Sequence, residues 1–409
     1  METWKTMTLS DVCYISSSKR IFAKEYQSSG IPFYRGKEII EKHNGISISN
    51  KLFISSERYE EIKNKFGVPL EGDILLTSVG TLGIPWLVDK EKFYFKDGNL
   101  TWLRNNELIT PRFLYYWLIT SQAQNQINSK CIGSTQKALT IEILKKFYIT
   151  FPDIKTQKKI TSIIESIELK IDNNRKINKN LEEQAQAIFK SWFVDFEPFG
   201  GIQPSEMQFI PLQELCKVVT KGTTPTTLGK SFTSTGINFI KAESILDNHS
   251  IDSSKFAFID EETNALLKRS VIKANDIVFT IAGTLGRFAM VDNSVLPANT
   301  NQAVAIIRPD ETKVTPAYLY SFFIGNWHDE YYSKRIQQAV QANLSLTTIK
   351  SLPIAVLKNT TMNNYEKLVS PLFALMKNNE EENRRLSKLR DTLLPRLMSG
   401  ELDVSNLDL

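Results

Sequence analysis

The sequence predicts an α+β protein: two tandem modules, each followed by a long helix, with the two helices paired as an antiparallel coiled coil and the whole arrangement pseudo-two-fold symmetric. Three observations predict it. The second half echoes the first at an offset of 203 to 206 residues, each half ends in a heptad-like seam, and the connector between the halves is short. With 409 residues, 42% of them apolar, the chain has room for two cores. The modules are expected at 1–153 and 210–357 and the helices at 154–195 and 358–398, with a linker at 196–209 and a tail at 399–409.

The echo begins with Leu9, Val12, Cys13 and Ile15, which return as Leu212, Leu215, Cys216 and Val218. Gly30-Ile-Pro-Phe-Tyr-Arg35 then returns as Gly236-Ile-Asn-Phe-Ile-Lys241. The clearest match is Gly72-Asp-Ile-Leu-Leu-Thr-Ser-Val-Gly-Thr-Leu-Gly83 with Asn275-Asp-Ile-Val-Phe-Thr-Ile-Ala-Gly-Thr-Leu-Gly286; Val88-Asp89 and Val291-Asp292 follow. β-branched and aromatic residues bounded by glycines predict a buried strand, a turn and a returning strand. Gly80, Gly83, Gly283 and Gly286 sit in that hairpin-like pattern rather than at a helix start, so they are read as turn residues and not as a phosphate cradle. Pro111-Arg-Phe-Leu-Tyr115 and Pro316-Ala-Tyr-Leu-Tyr320 open helices, since proline in the first turn forfeits no hydrogen bond. Polar loops follow, Gly133-Ser-Thr-Gln-Lys137 and Gln338-Ala-Val-Gln-Ala-Asn343.

The first seam runs Ile160, Ile164, Ile167, Ile171, Asn174, Asn178, Leu181, Ala185, Ile188, Trp192. At an offset of 205 the second runs Tyr365, Val369, Leu372, Met376, Asn379, Asn383, Leu386, Arg390, Leu393, Leu397. Asn174, Asn178, Asn379 and Asn383 therefore fall at matching positions, where a buried amide costs stability but fixes the register between helices. Each seam makes a rod of roughly 50 Å. The connector from Phe196 to Gln208 would have to run almost fully extended to close a parallel pair, whereas antiparallel pairing needs no return and opposes Asn178 to Asn379 and Asn174 to Asn383. Pro371 interrupts the second seam, so that helix is expected to kink there or to start at Ser370 as its N-cap.

Composition narrows the function. The net charge of +5 is compatible with a polyanionic partner. Cys13, Cys131 and Cys216 form no C-x-x-C pair, and His43, His249 and His328 show no metal spacing, so neither a disulfide framework nor a zinc site is expected. The opening residues lack a secretory pattern and no apolar run is long enough to span a bilayer, which predicts a cytoplasmic protein without membrane association. Pro152-Asp153 with Glu168-Leu-Lys170 mimics a nuclease pattern, but Glu168 and Lys170 fall on a helix and point apart. Gly229-Lys230-Ser231 resembles a P-loop ending but has Thr224 where the leading glycine belongs.

Two diverged modules, each followed by a helix ending near Ala-Ile-Phe-Lys-Ser-Trp-Phe193 or Leu-Leu-Pro-Arg-Leu-Met398-Ser-Gly, resemble the specificity subunit of type I restriction-modification enzymes along essentially the whole chain. The resemblance implies two target-recognition domains, each reading one half of a bipartite double-stranded DNA target, with the paired helices setting the unread spacer. It implies no catalytic centre and no cofactor here. Two modification subunits would bind S-adenosylmethionine and methylate adenine, and two restriction subunits, with ATP and Mg²⁺, can join them. The segments Ser16–Ser29 and Thr220–Thr235, which do not repeat, are where such readers would differ.

Side-chain chemistry nominates the DNA contacts. Arginine and lysine suit phosphates and guanine, and asparagine and glutamine suit adenine. The candidates are Lys19, Arg20, Arg35, Lys37, Gln136 and Lys137 in the first module, and Lys221, Lys230, Lys241, Arg287, Gln341 and Asn343 in the second. The alternative from another class is a coiled-coil adaptor that bridges proteins without binding DNA.

Overall fold

The computed structural model describes residues 4–46, 48–49, 51–130, 138–327, 343–404 and 407. The chain divides into two compact units, Met1–Asp172 with Asn383–Leu409, and Asn173–Glu382. Among the described residues, no helix is long and apolar enough to cross a membrane.

The first unit carries three small sheets. A four-stranded antiparallel sheet has the order Cys13–Ser16, Leu100–Asn105, Ile74–Thr77, Pro85–Leu87. A three-stranded sheet has Ile31–Tyr34 between antiparallel Leu52–Ile54 and parallel Tyr94–Phe95. A ribbon pairs Lys5–Thr8 with Tyr148–Phe151. The second unit repeats this strand for strand. Its four-stranded order is Cys216–Lys221, Val304–Pro309, Ile277–Thr280, Phe288–Met290. Its three-stranded sheet centres on Ile237–Ile240, and its ribbon pairs Gln208–Pro211 with Pro353–Val356.

The continuous apolar runs follow from burial on both sheet faces. Ile74 and Leu76 enter one core with Phe113 and Trp117, while Leu75 enters another with Phe33, Tyr94 and Trp102. In the second unit Ile277 and Phe279 face Tyr318 and Phe323, and Val278 faces Ile240 and Ile306. The helices Pro111–Ile119 and Pro316–Ile324 start at Thr110 and Thr315, whose hydroxyls accept from Phe113 N at 3.3 Å and Tyr318 N at 3.2 Å.

Two helices of 40 residues, Ile154–Phe193 and Asn359–Met398, run through the units. In the first unit, Ile160 and Ile164 near the start of one helix share a core with Leu394, Leu397 and Met398 near the end of the other. In the second, Ala185, Phe189 and Phe193 share a core with Tyr365, Val369 and Phe373. Start packs with end in each unit, so the pairing is antiparallel. The first helix begins on Asp153, whose carboxylate accepts from Lys155 N at 2.7 Å and Thr156 N at 3.1 Å. That carboxylate caps a helix, and Glu168 accepts the Tyr116 hydroxyl at 2.6 Å, so the nuclease-like letters serve structure.

Two expectations about the helices change. The second helix does not start at Ser370; it begins at Asn359 and continues through Pro371. The apolar stripe is also wider than the seam. Phe189, Phe193 and Phe373 are buried, while Ile188, Trp192 and Leu372 are only partly covered, because each helix packs against a module as well as its partner helix.

At the polar middle, Asn379 Nδ2 donates to Asn178 Oδ1 at 2.8 Å, and Asn178 Nδ2 donates to Glu380 Oε1 at 3.0 Å and to the Met376 carbonyl at 3.2 Å. Asn174 donates to Glu382 at 2.7 Å, and Asn383 is buried in the first unit. Asn379→Leu alone strands the Asn178 amide oxygen and is expected to cost about 1–3 kcal/mol, whereas Asn178→Leu with Asn379→Leu removes both members of that hydrogen bond and is expected to cost less than the two single changes together. Urea unfolding of the single and double variants reads the difference; a double loss equal to the sum of the single losses would show that the amide pair carries no coupling.

Candidate nucleic-acid interface

The Gly-Thr-Leu-Gly segment takes the same backbone form in both copies. Gly80, Gly83, Gly283 and Gly286 have φ of +80°, +75°, +78° and +83°, the region that favours glycine. Thr77 closes the first turn, donating its N–H to the Ile84 carbonyl at 3.1 Å and accepting Gly83 N at 2.8 Å. Thr280 does the same with Arg287 O at 2.7 Å and Gly286 N at 3.1 Å. A Cβ on Gly83 would come within 2.6 Å of Ile127 Cδ1, so the turn is packed against its own module.

The described residues that follow the two polar loops pair beside these turns. Leu139 N donates to the Ser78 carbonyl at 2.9 Å, and Leu344 N to the Ile281 carbonyl at 2.9 Å. Asn343, exposed and adjacent to Leu344, therefore sits next to the second turn. Gln136, Lys137 and Gln341 lie outside the described residues.

The remaining candidates divide by what holds them. In the first module Lys19 is exposed with its ammonium 4.4 Å from the centre of the Phe66 ring, and Arg20 pairs with Asp97 at 2.8 Å while staying 67% exposed. Lys37 donates to Ser49 Oγ at 3.1 Å. Arg35 is different. Its guanidinium donates to Glu38 at 2.6 and 3.2 Å, and Glu38 also caps the helix Gly36–His43 by accepting Arg35 N at 2.8 Å. Burial works against the Glu38 carboxylate, yet the Arg35 hydrogen bonds outweigh it and hold its pKa below the ordinary value.

In the second module Lys221 is exposed at a strand end, with its carbonyl 3.5 Å from Arg269 Nη2. Lys230 pairs with Glu262 at 2.7 Å and Lys241 with Glu243 at 2.7 Å. Arg287 holds Asp247 through two hydrogen bonds of 2.6 and 2.7 Å. Glu262 and Asp247 are 73% and 80% exposed, so these pairs are worth little and a phosphate can replace the carboxylate. The Gly229-Lys230-Ser231 letters form no phosphate loop; Gly229, at φ +68°, ends a short 3-10 turn.

One feature that sequence reasoning missed is a cleft of about 420 Å³ in the first unit, lined by Lys42, Trp86, Asp89, Arg112, Tyr115 and Glu168 among others. Its cations are already matched, Lys42 lying 3.7 Å from Asp89 and Arg112 3.1 Å from Glu165, so it is a salt-bridged groove and not a seat for a free anion. Another missed feature is that Gly30 and Gly236 lie 206 residues apart and the same step carries His43 onto His249, so two histidines that look scattered occupy one repeat position. Cys13 and Cys216 likewise match, and burial pushes both thiols up to about 12, away from reactivity.

Comparison with known proteins adds a family. The family model described as type I restriction modification DNA specificity domain matches residues 1–183 and again 204–387. The type I restriction enzyme MjaIX specificity subunit of Methanocaldococcus jannaschii is 24% identical, with 99% of this chain and 94% of that protein covered. The type I restriction enzyme HindI specificity subunit of Haemophilus influenzae is 24% identical, with 98% of this chain and all of that protein (100%) covered. The crystal structure of the type I restriction-modification S subunit from M. genitalium shares the fold, with a TM-score of 0.57, 16% identity, and 97% of this chain and 96% of that one covered. Two matched domains, repeated strand for strand and joined to paired helices, place the chain in the family of type I restriction-modification specificity subunits.

Proposed function

We propose that this non-catalytic chain addresses its complex to a bipartite double-stranded DNA target, each module reading one half-site and the paired helices setting the spacer between them. The observation that carries this reading is the structural repeat: the same sheets, turn and capped helix occur twice, while the segments Ser16–Ser29 and Thr220–Thr235 diverge. Two readers held apart on one face of a duplex suit half-sites about 34 Å, or ~10 base pairs, apart. The contacts we assign are Lys19, Arg20 and Lys37, with Gln136 and Lys137, in the first module, and Lys221, Lys230, Lys241, Arg287, Gln341 and Asn343 in the second. Arg35, 34% exposed, is assigned with them, while it also clamps Glu38.

Partners supply the chemistry in this reading. Two modification subunits bring S-adenosylmethionine and methylate adenine, and two restriction subunits bring ATP-driven motion and Mg²⁺-dependent cutting, all in the cytoplasm. Single-molecule methylome sequencing of cells with and without this chain tests the proposal. A two-part adenine-methylated motif is expected to vanish on deletion, and exchange of residues 1–153 for another member's module is expected to change one half of the motif only. An unchanged methylome with an active methyltransferase would favour the bridging adaptor.

A further inference from the structure

We propose that His249 and Glu182 form a proton-sharing latch that seats the second module's Ile245–Ile251 hairpin on the first long helix, and that its grip responds to pH near neutrality. The hairpin closes through the Ile245–Ile251 bridge, with Leu246 N donating to the Ser250 carbonyl at 3.0 Å and His249 N to the Leu246 carbonyl at 3.2 Å. His249 has φ +61°, a conformation that costs a residue with a Cβ and needs surrounding contacts to hold it. Its ring stacks on Phe288 at 4.1 Å, in the strand that follows the Gly-Thr-Leu-Gly turn. The neighbouring Asp247 is held by Arg287, from the same stretch of chain. His249 Nε2 then lies 3.5 Å from Glu182 Oε1 on the long helix, with both side chains about four-fifths buried.

The groups around this contact disfavour charge. Burial, with Glu183 alongside on the same helix, pushes the Glu182 carboxyl from its ordinary 4.5 up to about 7. Burial lowers the pKa of His249, against the pull of Asp247 and the Phe288 backbone. Tyr320, from the module helix, feels the charges of both Glu182 and Glu380, the latter on the second long helix, and its own burial keeps it neutral. A protonated Glu182 facing a neutral His249 is thus the favoured pairing. Because the folded-state pKa of Glu182 is raised, its contribution to seating is full below about 4.5 and is lost as pH rises through about 7. His249 works the other way, weakening the seat as pH falls through its ordinary 6.5.

The first module supplies an internal control. His43, at the matching position, lies 2.8 Å from the Pro85 carbonyl and 3.5 Å from the Tyr115 hydroxyl. Burial pushes Tyr115 up to about 12, so the hydroxyl facing His43 stays neutral in the range where Glu182 titrates.

Glu182→Gln keeps the size and polarity of the protonated acid while removing its titration. Hydrogen exchange at residues 245–251 of the full chain, divided by intrinsic rates, reads how often the hairpin opens. Between pH 6 and pH 8 the opening of the parent relative to Glu182→Gln is expected to rise about tenfold, while His43→Gln leaves that profile unchanged. The ring signals of the three histidines, assigned with His43→Gln and His249→Gln, give a second measurement: Glu182→Gln should shift the titration of His249 and leave His43 in place. A flat ratio across pH 6 to 8, or an unmoved His249 titration, overturns the latch. Neither readout involves DNA, so failure here is distinct from failure of the DNA-address reading.

Discussion

Asp276→Ala is expected to destabilise the second unit by about 3–5 kcal/mol, because it leaves a guanidinium without its buried partner. Asp276 is 0% exposed. It accepts Arg308 Nε and Nη2 at 2.7 Å each and Lys273 N at 2.7 Å, fixing the chain where it enters the strand Ile277–Thr280. Arg308 also donates to the Val271 carbonyl at 3.0 Å, so the cation cannot simply swing into water. The first module solves the same position differently. Asp73 accepts Trp102 Nε1 at 2.8 Å and Leu70 N at 2.8 Å, and burial raises its pKa. Its neighbouring cation, Arg104, is exposed and can turn to water, so Asp73→Ala is expected to cost about 1–3 kcal/mol. Urea unfolding of both variants and of Asp276→Ala with Arg308→Met checks the argument. The double change should recover part of the loss, and equal costs at Asp73 and Asp276 would show that the buried charge is not the cause.

Phe189→Ala is expected to cost a comparable amount, about 3–5 kcal/mol, by emptying an aromatic cluster. The ring is 2% exposed, with centroids 4.9 Å from Phe193, 5.8 Å from Tyr318 and 6.3 Å from Tyr365. Those partners come from the same helix, from the module helix and from the second long helix, so this one side chain joins three elements of the unit. Ile188, which the heptad seam nominates, is only partly buried, and its replacement by alanine should cost clearly less. Equal losses at 188 and 189 would return the packing to a simple two-helix seam.

Much of the architecture was legible because it is written twice. Glycines with positive φ, a threonine cap before proline and apolar runs buried on both sheet faces each have a local cause, so their letters recur wherever the structure recurs. The asparagines were legible for the opposite reason: an amide at a seam position is costly, and paying it twice at one offset signals a paired role. The helix phase was less legible. A heptad counts contacts with one neighbour, and the shift of burial to Phe189, Phe193 and Phe373 arises from a second neighbour, the module. Pro371 does not end the helix, because apolar packing on both sides of it outweighs one missing backbone hydrogen bond.

The sequence by itself determined the repeat, the strand-turn-strand cores, the long helices and, through them, the family, since all depend on residue type and short spacing. Only the tertiary structure decided which carboxylate each cation meets. Arg35 and Arg287 are both arginines beside a glycine in the chain, yet one grips a carboxylate that is 1% exposed and the other a carboxylate that is 80% exposed. The match of His43 with His249 was open to inspection in the letters, but its meaning came from a contact across 67 residues of chain, His249 with Glu182. Charge partners and burial are set by which surfaces meet after folding, and no local pattern carries that information.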